Sequence, residues 1–499
     1  MSGERPVSSV IVLGRDVDLW LTAAALGRAL GPAGVTVAAV ELPSRLRPAD
    51  ITATLPPLEA LHAKLGIGEA EVLLEAASAF SLGQNFVTGS ARPAPFFHAW
   101  GSYGLPIEDI EFFHIWRQAR QQGLNVPLQG FCLTAVAAQN GRMLVPDRAA
   151  YAFGRTDYGY HLHTAAYAGL LKSVAQAHGV RSFGAQEVAV ERAGGQCPIA
   201  ALILDGSRRL QADLFVDASG PDAVLLGGAL GVPLSSWREC LGAKRVLRAR
   251  APAFSSIPPF AEIRLGPHGW TALHPTRAAT GIVHVFDAGS DADPVAAARN
   301  AAAIEVVDTM LHAVEPGMRA APWQANCVGV GEAAAVFDPI HDVGMQALQL
   351  GIVHLLTLFP GGADCDAERR EYNRIMRSRF ERIRDFQCAF YALSPCDGPF
   401  WQRNRALQMP DTLRHKVATF RARGHIAAME DETFLPDSWR ILFTGLGIQP
   451  DSLPPAIGRL PRQRLRAEIE RALERIRRKV LEQPRHDDYL AGFCGGSAA

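Results

Sequence analysis

The chain has 499 residues, 48% of them hydrophobic and 20% charged, the balance of a globular protein with a large core and not of a disordered or fibrous one. Lys and Arg together number 50, as do Asp and Glu, so no net field draws it to nucleic acid or to an anionic membrane. Eight cysteines occur without a C-x-x-C pair, which argues against a zinc site and gives no disulfide framework.

In chain order, Val7–Leu13 is a short apolar run that predicts a strand, followed by a Gly14-led turn and a helical pattern over Leu19–Leu30. Val35–Glu41 predicts a second strand ending in an acid. This β-α-β opening of about 30 residues has the size of a dinucleotide-binding unit. The segment 50–80 reads as helical, and 86–130 is aromatic and rich in Gly and Pro, hence irregular or antiparallel. Tyr160–His178 predicts a helix, and strands are expected at Val180–Phe183, Val188–Glu191, Ala200–Asp205 and Leu214–Asp217. A helix is expected over 294–314 and a turn into a helix over 336–358. From 365 onward the pattern is helical, interrupted at Pro395, Pro399, Pro410 and Pro436. The Arg-rich stretch 459–479 places Leu465, Ile469, Leu473 and Ile476 at helical spacing among interleaved acids, which fits a solvated amphipathic helix better than a nucleic-acid patch. No apolar run reaches bilayer-spanning length, and Val7–Leu13 follows no basic leader segment, so a reduced cytoplasmic setting is expected.

Three segments fit a cradle for FAD. Gly14, Arg15 and Trp20 follow the first strand, and Glu41 ends the second. The strand closing in Val216-Asp217-Ala218-Ser219-Gly220 is the next part. The last is Gly331-Glu332-Ala333-Ala334, running on to Asp338-Pro339. Small residues let backbone approach the ribityl chain, an acid accepts its hydroxyls, and a helix starting after the proline aims its positive end at the flavin ring.

This arrangement resembles the FAD monooxygenase superfamily, and further segments resemble the flavin-dependent tryptophan halogenases over roughly nine-tenths of the chain. These are Leu65-Gly66-Ile67 before a helix ending Ala79-Phe80, Phe97-His98, Gly101-Ser102-Tyr103-Gly104, and the run Tyr158 to His163 heading a helix. Pro410-Asp411-Thr412-Leu413, Asp437-Ser438-Trp439 and Pro484 to Leu490 continue the likeness. The resemblance implies an α/β fold: an FAD-binding Rossmann-like core of the glutathione-reductase and monooxygenase type, with an inserted β-sheet and a C-terminal helical lobe. The core is expected over 1–364 and the lobe over 365–499. It also implies reduced FAD supplied by a separate flavin reductase, an aromatic substrate such as an indole or phenol, and often a homodimer. In such enzymes halide is oxidised to hypohalous acid, which travels through an internal tunnel to a lysine assisted by a glutamate.

Four departures fall on that chemistry. The family writes G-x-G-x-x-G-W after its first strand, but here Asp16 and Leu19 replace the second and third glycines. Two like charges ~4 Å apart cost about 1 kcal/mol in water and roughly 4 at an effective surface dielectric, about a ten- to thousand-fold weaker complex. Arg15 offsets part of this if it reaches the phosphates, and the simpler reading is that Asp16 or Asp18 N-caps the helix. Second, Ser81 stands at the lysine position, and a hydroxyl offers no cationic donor. Of the five lysines only Lys244 is left open as a substitute. Third, His341 stands at the glutamate position, followed by Val343 and Gly344, whose backbone amides match the family's halide site. Fourth, the W-x-W-x-I-P motif reads Trp270 to Pro275 with Ala272 and His274 replacing its second Trp and its Ile. Phe96, Phe97, Trp100, Tyr103, Phe112, Phe113 and Trp116 are candidates to line an arene pocket, or simply core. Three readings follow: a divergent flavin protein with impaired or lost halogenation, a working halogenase or monooxygenase, and a cofactor-free binding protein.

Overall fold

A computed structural model describes residues 6–48, 50–88, 93–145, 150–192, 198–242, 245–287, 293–362 and 365–494. The strand β1 (Ser9–Gly14), the helix α1 (Asp16–Leu30) and the strand β2 (Thr36–Glu41) form the expected opening. β1 lies at the centre of a six-stranded sheet, between β2 and the strand Leu214–Ala218, both parallel to it. Cys327–Gly329 adds on one side and Arg181–Gly184 on the other, also parallel. Gly14 is in register with Ala218 and with Glu41. A Cβ at Gly14 would collide with the Ala218 carbonyl, so only glycine lets the first strand close on the third. The carboxyl ends of three parallel strands therefore converge, which is where open α/β sheets hold ligands.

A seven-stranded sheet carries the other side of the molecule, in the order Val307–Ala313, Arg245–Pro252, Ala279–Phe286, Gly269–Pro275, Ala261–Gly266, Gly83–Thr88 and Phe96–Ala99. A third, three-stranded sheet joins Ile51–Ala53, Gly159–His163 and Ala79–Ser81. These sheets correct three expectations. The segment 50–80 holds two short helices, Leu58–Leu65 and Glu69–Glu75, between strands, so Phe80 ends no helix. Tyr160–His163 is strand, and the helix begins at Thr164. The helix expected over 294–314 stops at Ala302, where Ala303 turns left-handed with φ 53°, and Val307–Ala313 pairs as an edge strand. In each case pairing with a distant strand overrides local helical pattern.

The C-terminal region is helical as expected, led by Asp366–Leu393. Arg462–Leu481 buries Leu465, Ile469, Ile476 and Val480 on one face. One apolar core runs from Val10 through Phe386 to Leu490, so these helices pack into the same interior as the sheets. No helix among the described residues is long and apolar enough to cross a membrane. Cys132, Cys240, Cys327, Cys388 and Cys396 are buried and form no disulfide, and the described residues contain no metal-holding cluster of His, Cys, Asp or Glu.

Candidate functional site

At the first turn of α1, Asp16 takes φ 56°, the left-handed geometry that a glycine adopts without cost and that Asp tolerates better than most residues. The glycine conformation is thus kept while the side chain is added. Neither acid caps the helix: the N-cap is Arg15, with no side-chain cap bond. Asp16 Oδ2 instead accepts the Arg45 amide at 3.3 Å. Arg15 donates to the Ser219 carbonyl at 3.1 Å and to Asp222 at 2.9 Å, and Arg45 binds the same Asp222 at 2.6 Å. Two guanidiniums therefore bracket one carboxylate beside the cradle, which sequence reasoning missed. Asp16→Gly is expected to tighten FAD binding about tenfold, since one charge and one strained residue leave together; flavin-fluorescence titration measures it.

The acid that enters the cradle is Asp18. Its Oδ2 lies 2.4 Å from where a Cβ on Gly331 would be, and Gly331 itself takes φ 56°. The Glu332 amide donates to Asp18. Burial first, then the negative charge of Glu332, pushes the Asp18 carboxyl up to about 7. Desolvation raises the Glu332 carboxyl too, although solvent reaches its side chain; Ala333 behind it is buried. Trp20 donates to Glu41 at 3.2 Å and Lys172 meets the same carboxylate at 2.7 Å, so Glu41 is held at the end of β2. Asp217 is fully buried and accepts from Ser219 N and Oγ and from the amides of Leu225 and Leu226, at 2.6–3.1 Å. It shapes the loop beginning at Gly220 and touches no open surface. The backbone fits a dinucleotide cofactor: closely converging strands, a loop fixed from beneath by Asp217, and a half-buried acid at the end of β2.

Across the cleft, Asp338 Oδ1 accepts from Ile340 N and from the Tyr391 hydroxyl, which in turn accepts from Trp270 Nε1 at 3.0 Å. Burial raises the Asp338 carboxyl to about 6. Trp270 is thus a brace for the turn after Pro339, not a surface facing ligand. That turn holds two consecutive non-glycine residues in the left-handed region, His341 at φ 69° and Asp342 at φ 54°, a strain that persists only where the surroundings enforce it. The helix Gly344–Thr357 starts immediately beyond; Val343 is buried and Gly344 is exposed at its positive end.

Ser81 is 3% exposed, and its Oγ donates to the Gly83 carbonyl at 3.4 Å. Of the described lysines, Lys172 pairs with Glu41, Lys416 with Glu432 and Lys479 with Glu482, and Lys64 is on the surface; Lys244 lies outside the described residues. Three residues after Ser81, Gln84 bridges His341 Nδ1 at 3.2 Å and Asp342 Oδ2 at 2.8 Å. His274 Nε2 meets the same Asp342 oxygen at 3.1 Å. His341 is 1% exposed, ringed by Phe386, Phe390, Phe86, His98 and Phe434 with centroids 4.7–6.2 Å away. Burial drops its pKa to about 3 and that of His98 well below the usual histidine range, so both are neutral at physiological pH. Of the aromatic residues singled out earlier, Trp100 lies against His98 at 5.0 Å and Phe96 stacks on Phe86. Phe97, Tyr103, Phe112, Phe113 and Trp116 pack elsewhere in the core. The other rings around His341, those of Phe386, Phe390 and Phe434, come from the C-terminal helical region, and only their fold contacts reveal them.

The parallel sheet, the β1–α1–β2 opening and the converging Gly331 turn define an FAD-binding Rossmann-like protein. Residues 9–462 match the tryptophan halogenase family, and the chain belongs to that family. It is 26% identical to the tryptophan 6-halogenase of Streptomyces albogriseolus over 506 residues, covering 93% of this chain and 94% of the relative. It is 25% identical to the tryptophan 7-halogenase of Lentzea aerocolonigenes, covering 92% and 93%. Among solved structures, flavin-dependent halogenases from Brevundimonas sp. and from Xanthomonas campestris each superpose with a TM-score of 0.92 at 28% identity, covering 98% of this chain and 99% of theirs.

Proposed function

We propose that this chain is a flavin-binding member of its family in which halogenation by the lysine route is lost, while an uncharged aromatic substrate is still held beside His341. The observation that supports the loss is Ser81. It is buried at the lysine position, bonded to the Gly83 carbonyl, and no described lysine stands in for it. Reduced FAD, supplied by a separate flavin reductase, brings the oxygen chemistry when bound. Gly14, Trp20, Glu41, Gly220, Gly331, Glu332 and Pro339 hold it, with Asp217 and Asp338 acting from beneath. The amides of Val343 and Gly344 remain suited to a halide, because backbone donors do not depend on side-chain identity. The remaining residues exclude water and orient the arene: the phenylalanines supply apolar walls, and His341 and His98 supply neutral ring nitrogens.

Two measurements on purified protein test the reading. FAD titration is expected to saturate at micromolar concentration, which separates this account from a cofactor-free binding protein. With a flavin reductase, bromide and indole, oxygen consumption is expected without more bromoindole than free flavin gives. Bromination well above that background would mean that another residue replaces the lysine and would return the chain to working halogenases.

A further inference from the structure

Gln84 is the least conspicuous residue of the site, yet it settles a protonation question. One end of its side-chain amide faces the Asp342 carboxylate at 2.8 Å. That carboxyl is held below its ordinary range, chiefly by His274, against the opposing pull of burial, so it is ionised and only accepts. The amide therefore presents its NH2 to Asp342 and its oxygen to His341 Nδ1 at 3.2 Å. An oxygen there requires that Nδ1 bear the proton. The neutral ring then has a bare lone pair on Nε2, the nitrogen that Gln84 does not bond, in a ring surrounded by phenylalanines and His98. This Nε2 is buried and has no hydrogen-bond partner among the described residues. Both nitrogens of His98 and the Trp100 indole nitrogen share that condition, within ring contacts of 5.0 and 6.1 Å. Buried polar atoms left without partners are costly and concentrate where a ligand supplies the missing bond.

We propose that Asp342, acting through Gln84, fixes His341 as a hydrogen-bond acceptor, and that its Nε2 selects uncharged arenes bearing a ring N–H or O–H over isosteric arenes without one. This rests on the reading that the arene lies beside His341. Gln84 and Asp342 are positioning residues; His341 makes the contact. Among the described residues around His341 no free counter-charge meets an ammonium or carboxylate: His341 and His98 are neutral, His274 is engaged with Asp342, and Arg155, which acts on His98 electrostatically, is paired with Asp157 at 3.0 Å.

Isothermal titration of the flavin-free protein with indole and with benzofuran tests this, because the two bicycles share a shape and differ in the N–H. Indole is expected to bind about tenfold tighter or better. His341→Phe keeps an aromatic ring in place and is expected to equalise the two by weakening indole alone. Asp342→Asn frees the Gln84 amide to turn over. It is expected to shrink the preference and, by 15N NMR, to convert His341 from one tautomer to a mixture, a change that loosened packing alone does not produce. Equal binding of both arenes by the unaltered protein, binding of neither, or a preference that survives His341→Phe would overturn the inference. No turnover is read, so bromination by the unaltered protein would sink the proposed function and leave this selectivity standing.

Discussion

Raising the pH from 6.5 to 8.5 is expected to weaken FAD binding by roughly tenfold, and Asp18→Asn is expected to remove that dependence. Asp18 faces Glu332 on the Gly331 turn and Asp16 on its own helix, while Arg248 acts on Glu332 from the larger sheet. With its carboxyl pushed up to about 7, Asp18 is half protonated at neutral pH. A bound pyrophosphate adds negative charge nearby. Two unit charges about 10 Å apart at an effective dielectric of ~20 interact by roughly 1.7 kcal/mol, slightly more than the 1.4 kcal/mol of a tenfold change. Binding therefore favours the protonated acid, and affinity falls as pH climbs through 7. The stability sign runs the same way. The unfolded acid ionises near 3.8 and the folded one near 7, so the stability it contributes is complete below 3.8 and is lost as pH rises to about 7. Three pKa units correspond to about 4 kcal/mol as an upper bound; partial solvent access reduces this, and Asp18→Asn is expected to gain about 1–3 kcal/mol above pH 7 in urea unfolding.

Asp217→Asn is expected to cost about 3–5 kcal/mol and to abolish FAD binding. Four donors converge on its two oxygens, and the residue is completely buried. A carboxamide must turn its NH2 toward one pair of these donors, leaving buried amides unsatisfied. The loop from Gly220 then loses its anchor beside Gly14 and Gly331. A lowered urea midpoint with an unchanged slope, together with loss of flavin fluorescence quenching, checks both parts. An unaltered midpoint would show that the loop is held by something other than this carboxylate.

Much of this architecture was legible because it is local. The strand–turn–helix around Gly14, the acid ending β2 and the proline before the helix Gly344–Thr357 are short patterns with direct physical readings. Ser81 and His341 were found as substitutions within such patterns, and the structure links them through adjacent residues: Ser81 bonds the Gly83 carbonyl, and the next residue, Gln84, bonds His341. What the sequence hid is long-range. Gln84 meets His341 across 257 positions and Asp342 across 258, and nothing in either segment announces the other. The strand Tyr160–His163 reads as a helix head because its partners, Ile51–Ala53 and Ala79–Ser81, lie far away in the chain. Asp16 drew attention as the misplaced charge; the fold turns its carboxylate to the Arg45 amide and sets a second acid, Asp18, beside Gly331 and Glu332, which no spacing announced. The aromatic run from Phe96 to Trp116 shows the same limit, since a large ring is equally at home in a core and in a pocket.

The central claim is that a hydroxyl at position 81 leaves the oxidant without its amine. Bromoindole formation by the unaltered protein and by Ser81→Lys, measured by mass spectrometry with one flavin reductase and equal flavin loading, tests it most directly. The account expects background product from the first and at least tenfold more from the second. Vigorous bromination by the unaltered protein, with no gain from the lysine, would contradict it.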